Sequence, residues 1–402
     1  MALLSVAEAL ARVLEHAAPL PAAETPLADA DGRVLAYALR ALRTQPPADV
    51  SAMDGYAVRS SDVANAPVHL KVIGEVAAGR PFDRAVGAGE AARIFTGGVV
   101  PEGADTIVIQ EHTKRDGGGV EVQKSSAKGR HIRVKGLDFT SGQILLDAGH
   151  RLTPRDLALA AAMNHPLVPV HRRPKVALLA TGDELVPPGV EPQPGQIVSS
   201  NTVALSAFAR AEGADAIDLG IVGDQLDATV AAVRRAREQN ADILVTSGGA
   251  SVGDYDLVQK AFASEGMTLS FWRLALRPGR PLMHGRLGPM QVLGVPGNPV
   301  SAFVCGYLFL GPLIRRLAGR KDLTPPAESA VLGCDLPPND ERADYLRSTL
   351  TQGPAGLVAT PFPVQDSSMI GPLAKADCLL IREPYEKAAQ AGSICRIVKF
   401  ER

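Results

Sequence analysis

Hydrophobic and polar residues alternate along this chain with different periods, and each period predicts a different kind of structure. Near the start, apolar residues recur at helical spacing, namely Leu3, Val6, Leu10, Val13 and Leu14. They predict an amphipathic helix over residues 3–17. A second helix is predicted over residues 153–163, where Thr153 is a suitable N-cap, Pro154 occupies the first helical position and Asp156 follows three residues after the cap.

Between these helices, residues 44–140 change to short β-branched runs separated by Gly and Pro, which is typical of strands and turns. The predicted strands are His69–Val76, Ala92–Phe95, Thr106–Gln110 and Val120–Lys124. The stretch Gly117–Gly119 predicts a hairpin tip. Because helical sequence lies on both sides, we predict a discontinuous helical linker domain (residues 1–43 and 141–173) that is interrupted by a β-rich domain (residues 44–140).

From Pro174 onward, strands and helices alternate regularly. The continuous apolar run Lys175–Thr181 is typical of a strand covered on both faces. Further strands are predicted at Ala216–Val222, Asp242–Thr246 and Gln291–Val295, and helices at 201–211 (capped by Ser200 or Asn201), Leu226–Gln239, Leu257–Ser264 and Val300–Leu317. This alternation predicts a mostly parallel, helix-covered sheet in residues 174–322.

The last part of the chain, residues 323–402, loses that rhythm. Short strands are predicted at Asp344–Leu350, Gly356–Pro361, Cys378–Ile381 and Ile394–Phe400. They favour a small closed β domain, a β-barrel. The predicted fold class is therefore multidomain α/β and β, with a helical linker domain, a β-rich inserted domain, an α/β domain and a C-terminal small β-barrel.

Composition narrows the class of function. The chain has 402 residues and is 46% hydrophobic, which is enough for folded cores and excludes wholesale disorder. Its 42 basic residues are balanced by 43 acidic ones, and aromatic residues make up only 4%, so a nucleic-acid partner is not expected. The cysteines form no metal-binding motif and are expected to be reduced thiols of a cytoplasmic protein; they are Cys305, Cys334, Cys378 and Cys395.

Neither a signal peptide nor a membrane span is expected. The first twenty residues lack a basic start, and Glu8, Arg12 and Glu15 interrupt their apolar positions. The longest apolar run, near Phe303–Ile314, is short of the ~20 residues that a span requires and contains Pro312.

Glycine and acidic residues follow each predicted strand of the α/β domain, where parallel sheets bind their ligands. The segments are 181–184, 222–224, 246–256 and 294–299. Glycines such as Gly248 and Gly249 let backbone N–H groups approach a phosphate at a helix N-terminus. No dinucleotide fingerprint, P-loop or nucleophile elbow is present.

The acids Glu184, Asp224 and Asp256 converge on this edge, and carboxylates beside a phosphate site favour Mg²⁺. The alternative is that Asp183, Asp224 and Asp256 merely cap helices. Three arginines follow in a segment stiffened by proline, namely Arg273, Arg277 and Arg280. Their planar forks suit oxyanions, although a solvated loop with ordinary charges is the alternative.

Six motifs in order resemble the molybdopterin molybdenumtransferases, the MoeA family, to which the C-terminal enzymatic domain of gephyrin is similar. They are Ser51–Ala57, Ile94–Asp105, Thr181–Leu185, Ser247–Gly253, Arg277–Pro281 and Gly294–Ser301. The resemblance covers most of the chain and is weak over the C-terminal ~80 residues. It implies the domain arrangement predicted above and an elongated homodimer. The active site would form between the α/β domain of one subunit and the β-rich domain of the other.

The reaction that the resemblance implies takes adenylated molybdopterin and molybdate and yields molybdenum cofactor and AMP, with Mg²⁺ as cofactor. The enzyme that adenylates molybdopterin and recipient molybdoenzymes would be its partners. By the same resemblance, Asp54 and Thr96 would reach in from the partner subunit, Asp138 would lie at the boundary of the β-rich domain, and Glu184, Asp224 and Asp256 would handle Mg²⁺ and the pyrophosphate linkage.

The residues that would bind the substrates are carried over in the same way. They are Gly248, Gly249, Ser251, Arg273, Arg277, Arg280, Pro296, Pro299, Ser301, Arg347, Ser367 and Ser368. The family commonly has lysine where this chain has Arg277 and Arg280, so the charge is kept while the geometry changes. Three alternatives remain: a molybdopterin adenylyltransferase, a non-catalytic gephyrin-like scaffold, and tungstate rather than molybdate as the oxyanion.

Overall fold

A computed structural model of the chain describes residues 3–80, 82–248, 257–354 and 356–400. The α-helices of this part are α1 (Val6–Glu15), α2 (Pro154–Ala162), α3 (Asn201–Ala211), α4 (Leu226–Glu238), α5 (Leu257–Ser264), α6 (Pro299–Cys305), α7 (Gly311–Leu317) and α8 (Ile370–Lys375). Residues Gly306–Leu310 form a π-turn that joins α6 to α7 in one continuous helix.

The strands up to residue 171 are β1 (Ala22–Pro26), β2 (Leu39–Arg40), β3 (Val50–Ser51), β4 (Gly55–Val58), β5 (Val68–Val76), β6 (Glu90–Ile94), β7 (Thr106–Ile109), β8 (Thr113–Asp116), β9 (Gly119–Val122), β10 (Ile132–Arg133), β11 (Ile144–Leu146) and β12 (Leu167–His171). The later strands are β13 (Lys175–Thr181), β14 (Leu185–Val186), β15 (Ile197–Val198), β16 (Asp215–Val222), β17 (Ile243–Ser247), β18 (Thr268–Phe271), β19 (Leu276–Arg277), β20 (Met283–Leu287), β21 (Met290–Val295), β22 (Glu328–Leu332), β23 (Ala343–Gly353), β24 (Gly356–Pro361), β25 (Cys378–Arg382) and β26 (Ile394–Lys399).

The two chain segments that flank the β-rich region meet as predicted. Strand β1 pairs with β12, and β2 pairs with β11, both antiparallel. Helix α2 begins at a reciprocal cap, where both the N–H and the hydroxyl of Thr153 donate to Asp156 at 2.8 and 2.6 Å. One apolar cluster, which includes Leu35, Met163 and Val170, belongs to these segments except for Phe139 at the edge of the β-rich region. The short strand pairs were not predicted, because each has few residues.

Helix α1 packs against the α/β domain instead of joining that linker cluster. Its buried residues Ala9 and Val13 join the core of the α/β domain, and Leu4 bridges to Leu274. Arg316 on α7 donates to the carbonyl of Ala17 at 3.0 Å. The first helix of the chain is therefore held by residues about three hundred positions later.

The β-rich region contains a six-stranded sheet in the order β7-β4-β6-β5-β9-β8. Alternate residues of β4 enter separate apolar clusters on its two faces, with Tyr56 and Val58 on one and Ala57 on the other. The hairpin tip is confirmed, since β8 and β9 pair from Asp116 and Gly119 outward. A side chain at Gly55 would lie 2.0 Å from the carbonyl oxygen of Val108, so glycine is required where β4 begins.

The α/β domain has the helix-covered, mostly parallel sheet that the sequence predicts. Its strand order is β16-β13-β17-β21-β20-β18, and the first four strands are parallel. Strands β20 and β18 were not predicted; they are antiparallel additions at one edge. Every residue of β13 after Lys175 is buried, which explains its uninterrupted apolar run.

The C-terminal β-barrel is also confirmed. Strands β23, β24, β22, β26 and β25 form a ring that closes because β25 pairs back onto β23. Strand β19 adds to β23 from the α/β domain, with Arg277 beside Asp344. Strand β22 and helix α8 were missed, since each is short and carries few strongly apolar residues.

Residues Pro299–Leu317 form one 19-residue helix with a mean hydropathy of 1.4, long and apolar enough to cross a membrane by these two measures. However, 83% of its apolar window is buried inside the protein, as in the core helix of a soluble domain.

Candidate active site

Four parallel strands end at one edge of the α/β sheet. Their last residues are Thr181, Val222, Ser247 and Val295. Because parallel neighbours end together, the loops that follow them meet there. Gly182 continues this link beyond the strands, since its N–H donates to the carbonyl of Val222 at 3.1 Å.

Three exposed carboxylates, those of Asp183, Glu184 and Asp224, gather at the first two strand ends. Asp183 Oδ1 accepts a hydrogen bond of 3.0 Å from the N–H of Asp224. A side chain at Gly223 would lie 2.6 Å from that oxygen, so the glycine admits the contact. Burial raises the pKa of Asp224, and the negative charges of Asp183 and then Glu184 raise it further. Like charges that raise a pKa in this way attract a cation to the loop.

The predicted metal ligands are brought together only in part. The structure places Glu184 and Asp224 on neighbouring loops, while Asp256, like Gly249 and Ser251, lies outside the described residues. Within the described part of the chain, no three His, Cys, Asp or Glu side chains are arranged to hold a metal ion. One or two carboxylates are nevertheless the usual protein share of a Mg²⁺ site whose remaining ligands are phosphates and water.

Asn201, at the first position of α3, joins the two central strand ends. Its side-chain amide donates to Ser247 Oγ and to the carbonyl of Gly297, both at 2.7 Å. Gly248 has a φ of +96°, and a side chain there would lie 2.3 Å from the carbonyl oxygen of Thr181. Glycine is therefore required at position 248, and the backbone approaches any ligand at this edge without a side chain in between.

The long helix that begins at Pro299 points its N-terminus at the same edge. Ser301 is buried in its first turn, and Pro296 is buried in the preceding loop. The loop that carries Ser367 comes from the barrel: Asn298 Nδ2 donates to Ser367 Oγ at 2.9 Å, and the N–H of Val300 donates to the Ser367 carbonyl at 3.0 Å. Pro299 has no N–H and that of Val300 is already bonded to Ser367, so this helix start favours an anion mainly through its dipole.

Arg347 holds that loop in place from the barrel side. It is 1% exposed, and its guanidinium donates to the carbonyls of Met369 and Asp366 at 2.8 and 2.9 Å. Ser368 donates through its hydroxyl to Asp366 Oδ1 at 2.6 Å, within the same loop. The structure thus gives Arg347 and Ser368 a positioning task for Ser367, and their direct contact with substrate stays a prediction.

The three predicted arginines lie in different environments. Arg277 is engaged by the barrel, with Nε donating to Asp344 at 2.7 Å, Nη1 to Asp340 at 2.9 Å and Nη2 to Asn339 at 3.1 Å. Arg273 and Arg280 are exposed, and neither side chain has a hydrogen bond or ion pair among the described residues. Of the three, Arg273 and Arg280 are therefore available to a substrate oxyanion, whereas Arg277 ties the α/β domain to the barrel.

Asp54 and Thr96 form a second cluster on the β-rich domain. The N–H and the hydroxyl of Thr96 donate to Asp54 Oδ1 at 2.7 and 2.8 Å. The two hydrogen bonds from Thr96 hold the pKa of Asp54 below its usual value, and the nearby charge of Arg93 lowers it further. Arg93 is itself fixed between the rings of Tyr56 and Phe95, 5.1 Å from each.

No hydrogen bond or ion pair between described residues joins this second cluster to the α/β edge. Asp138 is exposed and also separate; its N–H donates to the carbonyl of Gln45 at 3.0 Å.

The contacts of several residues at the site were not predicted from the sequence. Asn201 was predicted only as a helix cap, and Asp183 only as an alternative cap. Asn298 and Arg93 lie inside or beside the quoted motifs, and that position was the available signal. The contacts of Asn201 and Asn298 join residues that are 46, 69 and 96 positions apart, so spacing alone does not reveal them.

A parallel sheet with carboxylates and a helix N-terminus at its carboxyl edge, joined to a β-rich domain and a closed barrel, defines an α/β class of protein that binds an anionic ligand at its strand ends. Family profiles agree: "Probable molybdopterin binding domain" matches residues 177–316, "MoeA N-terminal region (domain I and II)" matches 4–164, and "MoeA C-terminal region (domain IV)" matches 329–400. The chain belongs to the MoeA family.

Individual relatives support this assignment over nearly the whole chain. A protein from Haemophilus influenzae named molybdopterin molybdenumtransferase is 34% identical over 379 residues, which is 93% of each chain. One of the same name from Nostoc sp. is 42% identical over 297 residues, covering 72% of this chain and 68% of the relative. The solved structure of a molybdopterin biosynthesis MoeA protein from Pyrococcus horikosii superposes with a TM-score of 0.86 at 30% identity and covers 100% of both chains.

Proposed function

We propose that this chain is a molybdopterin molybdenumtransferase, which inserts molybdate into adenylated molybdopterin, forms molybdenum cofactor and releases AMP. The relatives that match nearly its full length carry this name, and they favour neither an adenylyltransferase nor a scaffold. The observation that carries the proposal is the meeting of Asn201, Ser247 and Gly297 at the strand ends, next to the helix that begins at Pro299.

The geometry suits a substrate with several negative charges. The positive end of the long helix's dipole favours phosphate or molybdate oxygens, and backbone N–H groups at this edge would donate hydrogen bonds to them. Ser301 offers a hydroxyl in the first turn, and Arg280 offers a free guanidinium fork. These groups would hold molybdate near the pterin, so catalysis consists mainly of positioning and electrostatic stabilisation.

Mg²⁺ is the cofactor that we propose for this edge. Glu184 and Asp224, together with Asp256, would hold it, and its charge would neutralise the phosphates of the adenylate linkage. The raised pKa of Asp224 fits this role, because a carboxylate crowded by like charges is stabilised when a cation binds. Asp183 then acts as the residue that fixes the Asp224 loop through its hydrogen bond to the Asp224 N–H.

We also propose a homodimer with shared active sites. Thr96 is exposed and Asp54 is half-buried on the β-rich domain, and neither side chain contacts a described α/β residue of its own chain through a hydrogen bond, which suits a role at a partner's site. Large apolar side chains are exposed on both the linker and the α/β domain, including Tyr37, Leu42, Ile197 and Val203. The expected setting is the cytoplasm, with the molybdopterin-adenylating enzyme upstream and recipient molybdoenzymes downstream.

The test supplies adenylated molybdopterin, Mg²⁺ and molybdate, and follows AMP release together with reconstitution of a cofactor-free molybdoenzyme. Both signals are expected from the native chain, and both should fall at least tenfold in Asp224→Asn. The matched control is Glu238→Gln, which removes an exposed charge from the far end of α4 and should leave activity unchanged. Consumption of ATP on plain molybdopterin, without AMP release from the adenylated form, would contradict the proposal. Running tungstate in parallel decides the preferred oxyanion.

Subunit mixing tests the shared site. Asp54→Asn and Asp224→Asn chains are each expected to be inactive alone. If each site combines residues of two chains, equal mixing should restore about a quarter of native activity, because half of the dimers are mixed and each of these has one intact site. Mixed dimers without activity, or a monomer by light scattering, would refute the shared site while leaving the reaction itself in place.

A further inference from the structure

A second charged cavity lies at the opposite edge of the α/β sheet. It encloses about 10 Å³, is open on one side, and is lined in part by Arg33, Arg151, Arg172, Arg173 and Glu212. Arg172 and Arg173 come just before β13, whereas the candidate active site follows that strand. The seven residues of β13 separate the two by about 20 Å.

Two of these charged groups are already neutralised. Arg172 forms a bidentate pair with Asp242 at 2.7 and 2.6 Å. Glu212 accepts two hydrogen bonds of 2.7 Å from Arg315 and is a further 3.3 Å from Arg320. Neither therefore balances the remaining charges of the cavity.

The other three arginines have no carboxylate partner among the described residues. Arg33 Nη2 donates to the carbonyl of His171 at 2.9 Å, and Arg151 Nη2 donates to the carbonyl of Ala211 at 3.1 Å. The Arg173 side chain has no hydrogen bond or ion pair there. All three residues are half-buried, so water screens their charges only in part.

The positive charge in the cavity changes the pKa of Arg33. Burial lowers the pKa of Arg33, the positive charge of Arg173 lowers it further, and the negative charge of Asp215 partly opposes them. Two like charges held together in a half-buried cavity destabilise each other. An anion with several oxygens would remove that repulsion and accept the unused guanidinium donors.

We propose that this cavity binds a small inorganic oxyanion of tetrahedral shape, of which inorganic phosphate and sulfate are examples. The enclosed volume of about 10 Å³ is a small fraction of the ~300–1,000 Å³ that drug-sized ligands occupy, which favours a small anion over a nucleotide. Arg33, Arg151 and Arg173 come from the linker segments, whereas the carbonyl of Ala211 belongs to α3. A bound anion therefore stabilises the junction between linker and α/β domain.

The test is calorimetric titration of the full chain with inorganic phosphate, chloride replacing phosphate at constant ionic strength, and the melting temperature measured alongside. Saturable binding is expected, and it should weaken at least tenfold in Arg33→Gln and in Arg173→Gln. Arg280→Gln separates this cavity from the active site and should retain the binding, as should Arg115→Gln, which removes an exposed arginine from the β8–β9 hairpin. If either glutamine variant unfolds, Arg173→Lys keeps the charge and should bind more weakly than the native chain.

Binding that is lost in Arg280→Gln but kept in Arg33→Gln would place the anion in the active site and overturn the proposal. A response that never saturates, or is equal in all variants, would show an adventitious ion only. AMP is titrated in parallel into the Arg280→Gln chain. If AMP binds there as tightly as phosphate and the binding depends on Arg173, the cavity takes a phosphate monoester and the small-anion proposal is wrong.

Discussion

Replacing Arg347 by methionine removes the guanidinium that holds the Ser367 loop while keeping a long apolar side chain in the barrel. Four of its hydrogen bonds reach that loop from within the barrel wall, to Met369 and Asp366 at 2.8 and 2.9 Å, and to Val364 and Gln365 at 3.4 Å. Since the residue is 1% exposed, water cannot replace the lost donors without opening the loop.

The expected cost follows from the two short bonds. A hydrogen bond to a charged group contributes about 1.5–3 kcal/mol, so losing both should destabilise the barrel by about 3–6 kcal/mol. This is a large part of the ~5–15 kcal/mol that holds a typical domain together. The same loop positions Ser367 against Asn298 and Val300, so AMP release should fall even where the variant remains folded.

Amide hydrogen exchange measured on peptides from residues 343–369 gives the size of the effect directly. Protection of the barrel strand β23 and the loop should fall by about 100-fold or more, since 1.4 kcal/mol corresponds to a factor of ten. Arg347→Lys keeps the charge but only one donor group, so an intermediate loss is expected. If Arg347→Met exchanges like the native chain while activity is lost, the guanidinium acts on the substrate and the positioning role is refuted.

Three further results are expected. Glu212→Gln removes the carboxylate that accepts hydrogen bonds from the buried Arg315 and Arg320, so the denaturation midpoint should fall by the equivalent of about 3–5 kcal/mol. Gly248→Ala places a methyl group against a carbonyl at a φ that L residues rarely adopt, so activity should be lost, whereas Gly118→Ala, in open space, should be neutral. Thr96→Val removes one of two donors to Asp54, so the carboxyl pKa should rise and the acid limb of the pH–activity profile should move to higher pH.

The sign of the last effect follows from linkage. Thr96 lowers the pKa of Asp54 in the folded chain. The hydrogen bonds therefore add to folding stability above the ordinary carboxyl pKa, and this stability is lost as pH falls through the lowered pKa of Asp54. An acid limb that moves to lower pH, or does not move, would contradict the assignment. Glu238→Gln is the charge-matched control for Glu212→Gln, and a Gly248→Ala chain with native turnover would show that a side chain is tolerated at that strand end.

The sequence predicted the structure best where the residues of one short segment determine its secondary structure by themselves. Lys175–Thr181 matches the structure residue for residue, because a strand covered on both faces needs an unbroken apolar run. The cap of α2 was also found, since Thr153 and Asp156 interact with each other at fixed spacing. Strand β20 was not predicted, because His284, Gly285 and Arg286 interrupt the alternation of apolar and polar residues that is typical of a strand.

The site could be predicted as a set of residue types but not as a set of contacts. Motif order located the strand ends, yet nothing local shows that Asn201 reaches Gly297, 96 residues away. Nor does any local pattern show that Arg277 is paired with Asp344, 67 residues later. Such pairings depend on how whole domains pack, and spacing along the chain carries no information about them.

The placement of helix α1 has a consequence for biosynthesis. The helix leaves the ribosome before the rest of the α/β domain, since its partner Arg316 is made 299 residues after Ala17. At about 5–20 residues per second, the apolar face of the helix waits roughly 15–60 seconds before its docking surface exists. During that interval it is available to chaperones, or to a newly made copy of the same chain. The order of translation thus leaves the α/β domain of this protein incomplete until the long helix Pro299–Leu317 has been made.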